Sequence, residues 1–319
     1  MNDNLKGLCP YCLAPLSDKG ACTECGKKYR AADFPARRLP PLHVLKNRYT
    51  VGRTLGEGGF GITYFGADRL GGAVAIKEYC PDRLAERRGA ALEPSVQTRA
   101  AFMRGKARFM TEAKCMAAVK NVEGIAAVLD FFSENNTAYI VMEYIGGETL
   151  SEYLAKKGRL SFREAFTVLR PVLEALGRLH EAGVVHGDVS PDNIILTDDG
   201  ARLIDFGAAA RSGVFEGTRK VTLKKRYAPP EQYNSGTVPG PRTDVYAAGV
   251  TLYYCVTAAL PPESTARETR DLVRRPSALG ARISADEEAA LMKAIEPAPD
   301  RRYPNMRAMI AALASAVAI

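Results

Sequence analysis

The chain has 319 residues, 46% of them hydrophobic and 25% charged, enough for one large domain or two ordinary ones with a real core, and no composition for wholesale disorder. No apolar run reaches the roughly 18 residues a spanning helix needs, and the first residues (MNDNLKGLCPYC) carry no signal-peptide core, so the expectation is a cytoplasmic protein without a membrane span. The net charge of +8 raises the chance of an anionic partner without choosing one; pairs such as Arg87-Arg88 and Arg274-Arg275 read as solvated surface, and nothing specific points to nucleic acid.

Four of the seven cysteines open the chain as Cys9-Pro-Tyr-Cys12 and Cys22-Thr-Glu-Cys25. Each C-x2-C turn offers two thiolates one ligand edge apart, and two such turns face to face close a tetrahedron around zinc. A disulfide pair is disfavoured by the missing secretion signal, and a redox pair needs only one C-x2-C in a βαβ setting. Four thiolates leave no coordination position open, so residues 1–30 are expected to be a structural zinc ribbon, with a docking or regulatory role. Cys80, Cys115 and Cys255 are isolated and read as small core residues. Residues 31–47, with three prolines and no sustained period, read as a linker.

From residue 48 the pattern turns to strands. Tyr49/Val51, Ile62/Tyr64 and Val74/Ile76 alternate at period two, and Gly71-Gly72 marks a hairpin. Gly56-Glu-Gly58-Gly-Phe-Gly61 joins two of these strands; a dinucleotide-binding loop would open a helix instead, whereas a glycine hairpin can lay backbone N–H groups over phosphates or be a plain flexible turn. Lys77 closes an apolar strand, and a lysine there needs a partner. Glu112 supplies one, on a helix whose Phe109, Ala113, Met116 and Ala117 fall on one face. Read alone, that pair fits a surface ion pair as well as a phosphate anchor. Two further apolar strands follow, turning at Glu134–Thr137.

The second part is mostly helical. Ser161-Phe-Arg-Glu164 is a capping box that opens a helix through Leu176 to Gly183, with Pro171 expected to kink it. Between two apolar runs stands His186-Gly-Asp188-Val-Ser-Pro-Asp-Asn193, and then Asp205-Phe-Gly207 after a short strand. Asn193 and Asp205 are two oxygen ligands suited to Mg²⁺, and Asp188 is left as the carboxylate that takes a proton from an incoming hydroxyl.

Taken in order, the glycine hairpin, Val74-Ala-Ile-Lys77, the helical Glu112, HxDxxxxN, DFG, Ala228-Pro-Pro-Glu231 and Asp244-Val-Tyr-Ala-Ala-Gly249 resemble the eukaryotic-like protein kinases over roughly residues 48–316. IKEYCPDRLAERR, RFMTEA and RYAPPEQY resemble more narrowly a bacterial serine/threonine kinase group that often carries a zinc ribbon. The resemblance implies an α+β, two-lobed kinase-like fold behind the ribbon, with a β-rich lobe over 48–145 and a helical lobe over 146–319. It implies transfer of the γ-phosphoryl group of Mg-ATP to serine or threonine hydroxyls of a protein substrate. Lys77 and Glu112 would anchor the α/β-phosphates under Gly56, Gly58 and Gly61. Glu143 and Ile145, beyond Met142, would offer backbone to adenine, with Ala75 and Ile195 about the ring. Asp188 would be the base, Asn193 and Asp205 the magnesium ligands, and Glu231 would bridge to Arg302.

Two positions depart from the family. Gly187 replaces the arginine that receives an activation-segment phosphate, so activity is expected not to require phosphorylation of Thr218 or Thr222. Ser190 replaces a lysine that touches the γ-phosphate, and Lys224, Lys225 and Arg226 are candidate substitutes for that cation. HGD also resembles small-molecule phosphotransferases of the aminoglycoside- and choline-kinase type, which lack APE-like and DVYxxG elements. A nucleotide-binding pseudokinase scaffold is the remaining alternative.

Overall fold

Alternating apolar residues in the first half of the chain become strands, as their period requires. The computed structural model describes residues 7–17, 20–119, 122–205, 210–211, 224–234 and 236–317. In chain order the first elements are β1 (Val44–Leu45), β2 (Tyr49–Gly58), β3 (Gly61–Ala67), β4 (Ala73–Tyr79), β5 (Glu86–Arg88), β6 (Ala91–Glu93), α1 (Arg99–Ala117), β7 (Val128–Glu134) and β8 (Thr137–Glu143). They belong to a compact unit made of Met1–Ala117 and Ala127–Tyr144. Six strands form one sheet in the order β1-β2-β3-β4-β8-β7, every pairing antiparallel. The β7–β8 turn has Asn135 and Asn136 at φ 51° and 61°, the left-handed pair that a tight hairpin favours.

Helix α1 buries Phe102, Phe109, Ala113 and Met116. Tyr79 of β4 meets Phe102 and Phe109, with ring centroids 5.2 and 5.7 Å away. Gly105 makes this approach possible, since a Cβ there would lie 2.0 Å from the Tyr79 hydroxyl oxygen.

One pair of arginines departs from the sequence reading. Arg88 is solvated, but the Arg87 side chain is only 2% exposed and pairs with the fully buried Glu78. Tyr64 and Tyr139 each donate a hydroxyl to the same carboxylate at 2.9 Å. Burial raises the Glu78 pKa despite these partners, and the guanidinium is retained inside because the carboxylate requires it.

Residues 31–47 carry a short 3₁₀ turn (Ala31–Asp33) and β1. Arg37 and Arg38 both pair with Glu57 in the glycine hairpin, and Arg37 also pairs with Asp82. The cysteine-rich head meets the sheet through Tyr11, whose carbonyl accepts from the Arg53 backbone N–H at 3.3 Å.

The second unit, Ala118–Ala126 with Ile145–Ile319, is mainly helical. Its elements are β9 (Glu148–Thr149), α2 (Leu150–Lys157), α3 (Phe162–Glu181), β10 (Val184–Val185), β11 (Ile194–Thr197), β12 (Gly200–Leu203), β13 (Ala210–Arg211), α4 (Pro230–Tyr233), α5 (Pro241–Thr257), α6 (Ser264–Thr269), α7 (Ala285–Ala294) and α8 (Met306–Val317). The expected capping box opens α3: Glu164 N–H donates to Ser161 Oγ at 3.3 Å and Ser161 N–H donates back at 2.8 Å. The helix runs past Pro171 to Glu181, and Gly183 follows at φ 74°. Helix α5 is apolar nearly all round and is buried from Thr243 to Val256 save Tyr254, packing against α3, α7 and α8. The fold is therefore a β-sheet unit followed by a helical one, as the sequence predicts.

Candidate functional site

The four cysteines of the head come together. Their sulfurs all lie within 4.8 Å of one another, with Cys9–Cys25 at 3.7 Å and Cys12–Cys22 at 3.3 Å. A tetrahedron with Zn–S bonds of about 2.3 Å sets its sulfurs about 3.8 Å apart, so the set fits such an ion. Backbone N–H groups already point at the ligands: Cys25 and Glu24 donate to Cys22 Sγ at 3.3 and 3.4 Å, and Tyr11 to Cys9 Sγ at 3.4 Å. The Cys25 and Glu24 N–H groups, Cys25 foremost, pull the Cys22 thiol down to about 6, while burial pushes Cys12 up to about 12.

In the sheet unit, Gly56 and Gly58 end β2 and Gly61 begins β3, with Gly56 opposite Thr63 and Gly58 opposite Gly61. A Cβ on Gly61 would fall 2.1 Å from the Glu78 carbonyl oxygen, so the close approach of β3 to β4 admits only glycine there. Lys77 sits half-buried on β4, opposite Thr63 and Ile140; Ala75, two residues back and on the same face, stands opposite Phe65 and Met142. Glu112 is buried on α1, 3.7 Å from Arg108 Nε. Glu143 ends β8, and its N–H donates to the Ala127 carbonyl at 2.9 Å.

The helical unit holds the other residues. The loop from His186 to Asn193 leaves β10 and ends in a one-turn 3₁₀ helix, Pro191–Asn193, that feeds β11. Asn193 Nδ2 donates to the Asp188 backbone carbonyl at 2.8 Å and to Asp188 Oδ2 at 2.9 Å. The Asn193 carbonyl accepts from Ile204 N–H at 2.8 Å, which puts Asp205 beside it on the neighbouring chain segment. Asp205 itself adopts φ 63°, a left-handed conformation that, after glycine, asparagine and aspartate adopt most readily. Phe206, Gly207, Thr218 and Thr222 lie outside the described residues. Ile195 stands on β11 opposite Arg202 and Thr149, and Ile145 is buried ahead of β9.

Gly187 has φ 75°, so the position that lacks arginine also has a backbone conformation costing glycine nothing. Its carbonyl accepts from Gln232 Nε2 at 2.9 Å. The loop is held from below by Asp244, fully buried near the start of α5. Asp244 accepts from His186 N–H at 2.8 Å and Gly187 N–H at 2.7 Å, and its Oδ2 lies 2.7 Å from His180 Nε2. Burial opposes the charge, but the hydrogen bond and charge of His180 and the loop N–H groups hold the Asp244 carboxyl below its ordinary value. Sequence reasoning quoted Asp244 within a motif without giving it a task; the polar residue opening an otherwise apolar helix was the available signal. The anticipated Glu231–Arg302 bridge is present and bidentate, at 2.7 and 3.0 Å. Of the three basic candidates, Lys224 reaches the loop, donating to Ser190 Oγ at 2.6 Å and Asn193 Oδ1 at 3.2 Å. Lys225 instead points to Glu263 at 3.9 Å with its side chain 79% exposed.

Against known proteins, residues 49–301 match a family model described as protein kinase domain. A probable serine/threonine-protein kinase of Clostridium perfringens is 31% identical over 277 residues, covering 84% of this chain and 38% of the relative. Serine/threonine-protein kinase PknL of Mycobacterium tuberculosis is 35% identical over 222 residues, covering 68% of this chain and 51% of PknL. The chain thus spans 38–39% of the length of the first curated relatives it matches. Among solved structures, the apo form of PpkA-294 superposes with a TM-score of 0.75 at 30% identity, covering 87% of this chain and 99% of that one. The PknI kinase domain of M. tuberculosis, at 24% identity and a TM-score of 0.65, shares the fold.

Proposed function

Since the chain belongs to the protein kinase family, we propose that it transfers the γ-phosphoryl group of Mg-ATP to serine or threonine hydroxyls of proteins. The observation that carries this reading is the bonded loop of the helical unit: a carboxylate, Asp188, clamped by the amide of Asn193, which is bonded in turn to the residue before Asp205. In this reading the Asp188 carboxylate, held at Oδ2, takes the proton of the attacking hydroxyl. Asn193 Oδ1 and an Asp205 carboxylate oxygen hold Mg²⁺, two oxygen donors of the kind the ion prefers. Lys77 holds the α/β-phosphates and Glu112 orients its ammonium, while Gly56, Gly58 and Gly61 present backbone to the same phosphates. Glu143 and Ile145 offer backbone to adenine, with Ala75 and Ile195 packing on the ring. Bound Mg-ATP supplies the phosphoryl group and the metal charge.

A protein acceptor is favoured over a small molecule by the Ala228–Glu231 segment, fixed to Arg302, and by Asp244 beneath the loop. Incubation with labelled Mg-ATP and a generic protein, followed by phosphoamino-acid analysis, tests the reading. Phosphoserine or phosphothreonine is expected; ATP consumption with no protein phosphate would instead support a small-molecule acceptor. Retained nucleotide binding with no turnover would support the pseudokinase scaffold. Among the described residues no helix is long and apolar enough to cross a membrane.

The cysteine-rich head is read as a structural zinc site held by Cys9, Cys12, Cys22 and Cys25, whose closed coordination suits docking or regulation and not chemistry. Metal analysis should find one zinc per chain and its loss when Cys9 and Cys22 are both serine; equal zinc in both proteins would refute the assignment.

A further inference from the structure

Lys224 joins the catalytic loop from the far side of the chain, 31 residues beyond Asn193, and its contacts are ordered. The shortest, 2.6 Å, is to the hydroxyl of the fully buried Ser190; the next, 3.2 Å, is to Asn193 Oδ1. The carboxylate of Asp192 lies farther, at 3.5 Å, and its side chain is 60% exposed. A lysine forming an ordinary surface ion pair turns its ammonium outward to water and the nearest carboxylate. Lys224 differs: its side chain is 31% exposed, and its two shortest contacts are neutral oxygens of the loop, both nearer than the Asp192 carboxylate. The amide of Asn193 is fixed by its own bonds, Nδ2 to Asp188, so Oδ1 is the atom left facing Lys224. That same oxygen is the proposed magnesium ligand. With a metal on that oxygen the ammonium would keep Ser190 and the more distant Asp192 and would have one position open to an anion.

We propose that Lys224 is the residue that contacts the γ-phosphate of ATP, holding it against the Ser190 hydroxyl beside the Asp188–Asn193 pair. Ser190 serves as the hydrogen-bond rest that aims the ammonium. The assignment deepens the kinase reading and rests on it for the identity of the phosphate, not for the geometry of the cation. In the transfer the acceptor oxygen forms a new bond to the γ-phosphorus as its proton passes to Asp188, the bond from that phosphorus to the β–γ bridging oxygen breaks and ADP leaves, and Lys224 would neutralise charge on the phosphoryl oxygens without giving up a proton.

The test uses the full chain with Mg²⁺ and compares K224M, K224R, K225M and the exchange variant S190K/K224S. Calorimetry measures binding of ADP and of a non-hydrolysable ATP analogue, and turnover is measured separately. One charge-assisted hydrogen bond is worth roughly a ten- to hundredfold factor. K224M should therefore bind the triphosphate analogue about tenfold more weakly with ADP affinity within about twofold, and its kcat should fall about ten- to hundredfold. K224R should keep most of the preference, K225M should match the wild type, and S190K/K224S should recover the preference because the ammonium returns to the same place from the other side. An unchanged ratio of triphosphate to diphosphate affinity in a folded K224M would overturn the assignment, as would failure of both K224R and the exchange variant to retain it. If the wild type phosphorylates no protein while K224M still loses its triphosphate preference, the protein-kinase reading falls and Lys224 stands. A fully active wild type with an unaltered preference in K224M has the opposite meaning.

Discussion

Asp244 illustrates how one buried charge sets the conformation of a loop. Its two oxygens receive three donors, two of them from the backbone of the loop that carries Asp188. Asp244→Asn keeps the shape but removes the charge and turns one acceptor into a donor facing other donors. Breaking a buried pair of this kind costs about 3–5 kcal/mol, so urea unfolding at neutral pH should show a loss of that size. The pH dependence has a definite sign. Because the folded-state value lies below the ordinary one, the contribution is complete above an unfolded value of about 4 and is lost as pH falls through the lower folded value. The part of the stability gap between wild type and variant that comes from Asp244 titration should be complete above about pH 5 and close in acid. A gap that stayed unchanged in strong acid would assign it to another group. At this scale the sequence was informative about chemistry and silent about support. Asp188, Asn193 and Asp205 could be singled out as candidates because their types are rare between apolar runs. Asp244 and Glu78 were not, because a buried carboxylate can be told from a surface one only by what surrounds it.

At the scale of elements, strands and helices followed their periods closely. The β2–β3–β4 hairpins, α1 and the capped α3 all lie where alternation, apolar spacing and the Ser161–Glu164 box put them. Less visible were the capping boxes Thr149–Glu152 and Ser284–Glu287, each a four-residue pattern with no long periodic run before it. The segment 31–47 was illegible for a different reason: its order comes from Arg37 and Arg38 reaching Glu57 and Asp82, contacts that no local pattern encodes. These contacts tie that segment to the glycine hairpin. Such partly exposed pairs add only about 0–1 kcal/mol to stability, so Glu57→Ala should melt within a few degrees of wild type. Its effect should appear in the KM for ATP, expected to change severalfold while kcat holds within about twofold, since the hairpin is the proposed phosphate cover. An unchanged KM would show that the pairing leaves the hairpin's task untouched.

For the whole molecule, the order of short motifs along the chain carried more information than composition or charge. Any one of them is common; their succession resembles the family whose model matches residues 49–301. The net charge of +8 identified no partner; Arg87, Arg267 and Arg302 pair with Glu78, Asp271 and Glu231, pairs that cancel in that sum and leave its excess on other residues. Gly187 offers no cation to an activation-segment phosphate, so alanine at both Thr218 and Thr222 is expected to leave turnover within about threefold of wild type. Abolished turnover in a folded double variant would show that phosphorylation is needed by another route.

If Asp188 serves phosphoryl transfer to protein hydroxyls, intact-mass spectrometry reads it most directly. Wild type and Asp188→Asn are each incubated with Mg-ATP and a generic protein substrate, after equal melting temperatures establish that both are folded. Phosphate mass is expected on protein with the wild type and none with Asp188→Asn. Equal phosphorylation by the two, or protein phosphate from neither while ATP is consumed, would contradict it.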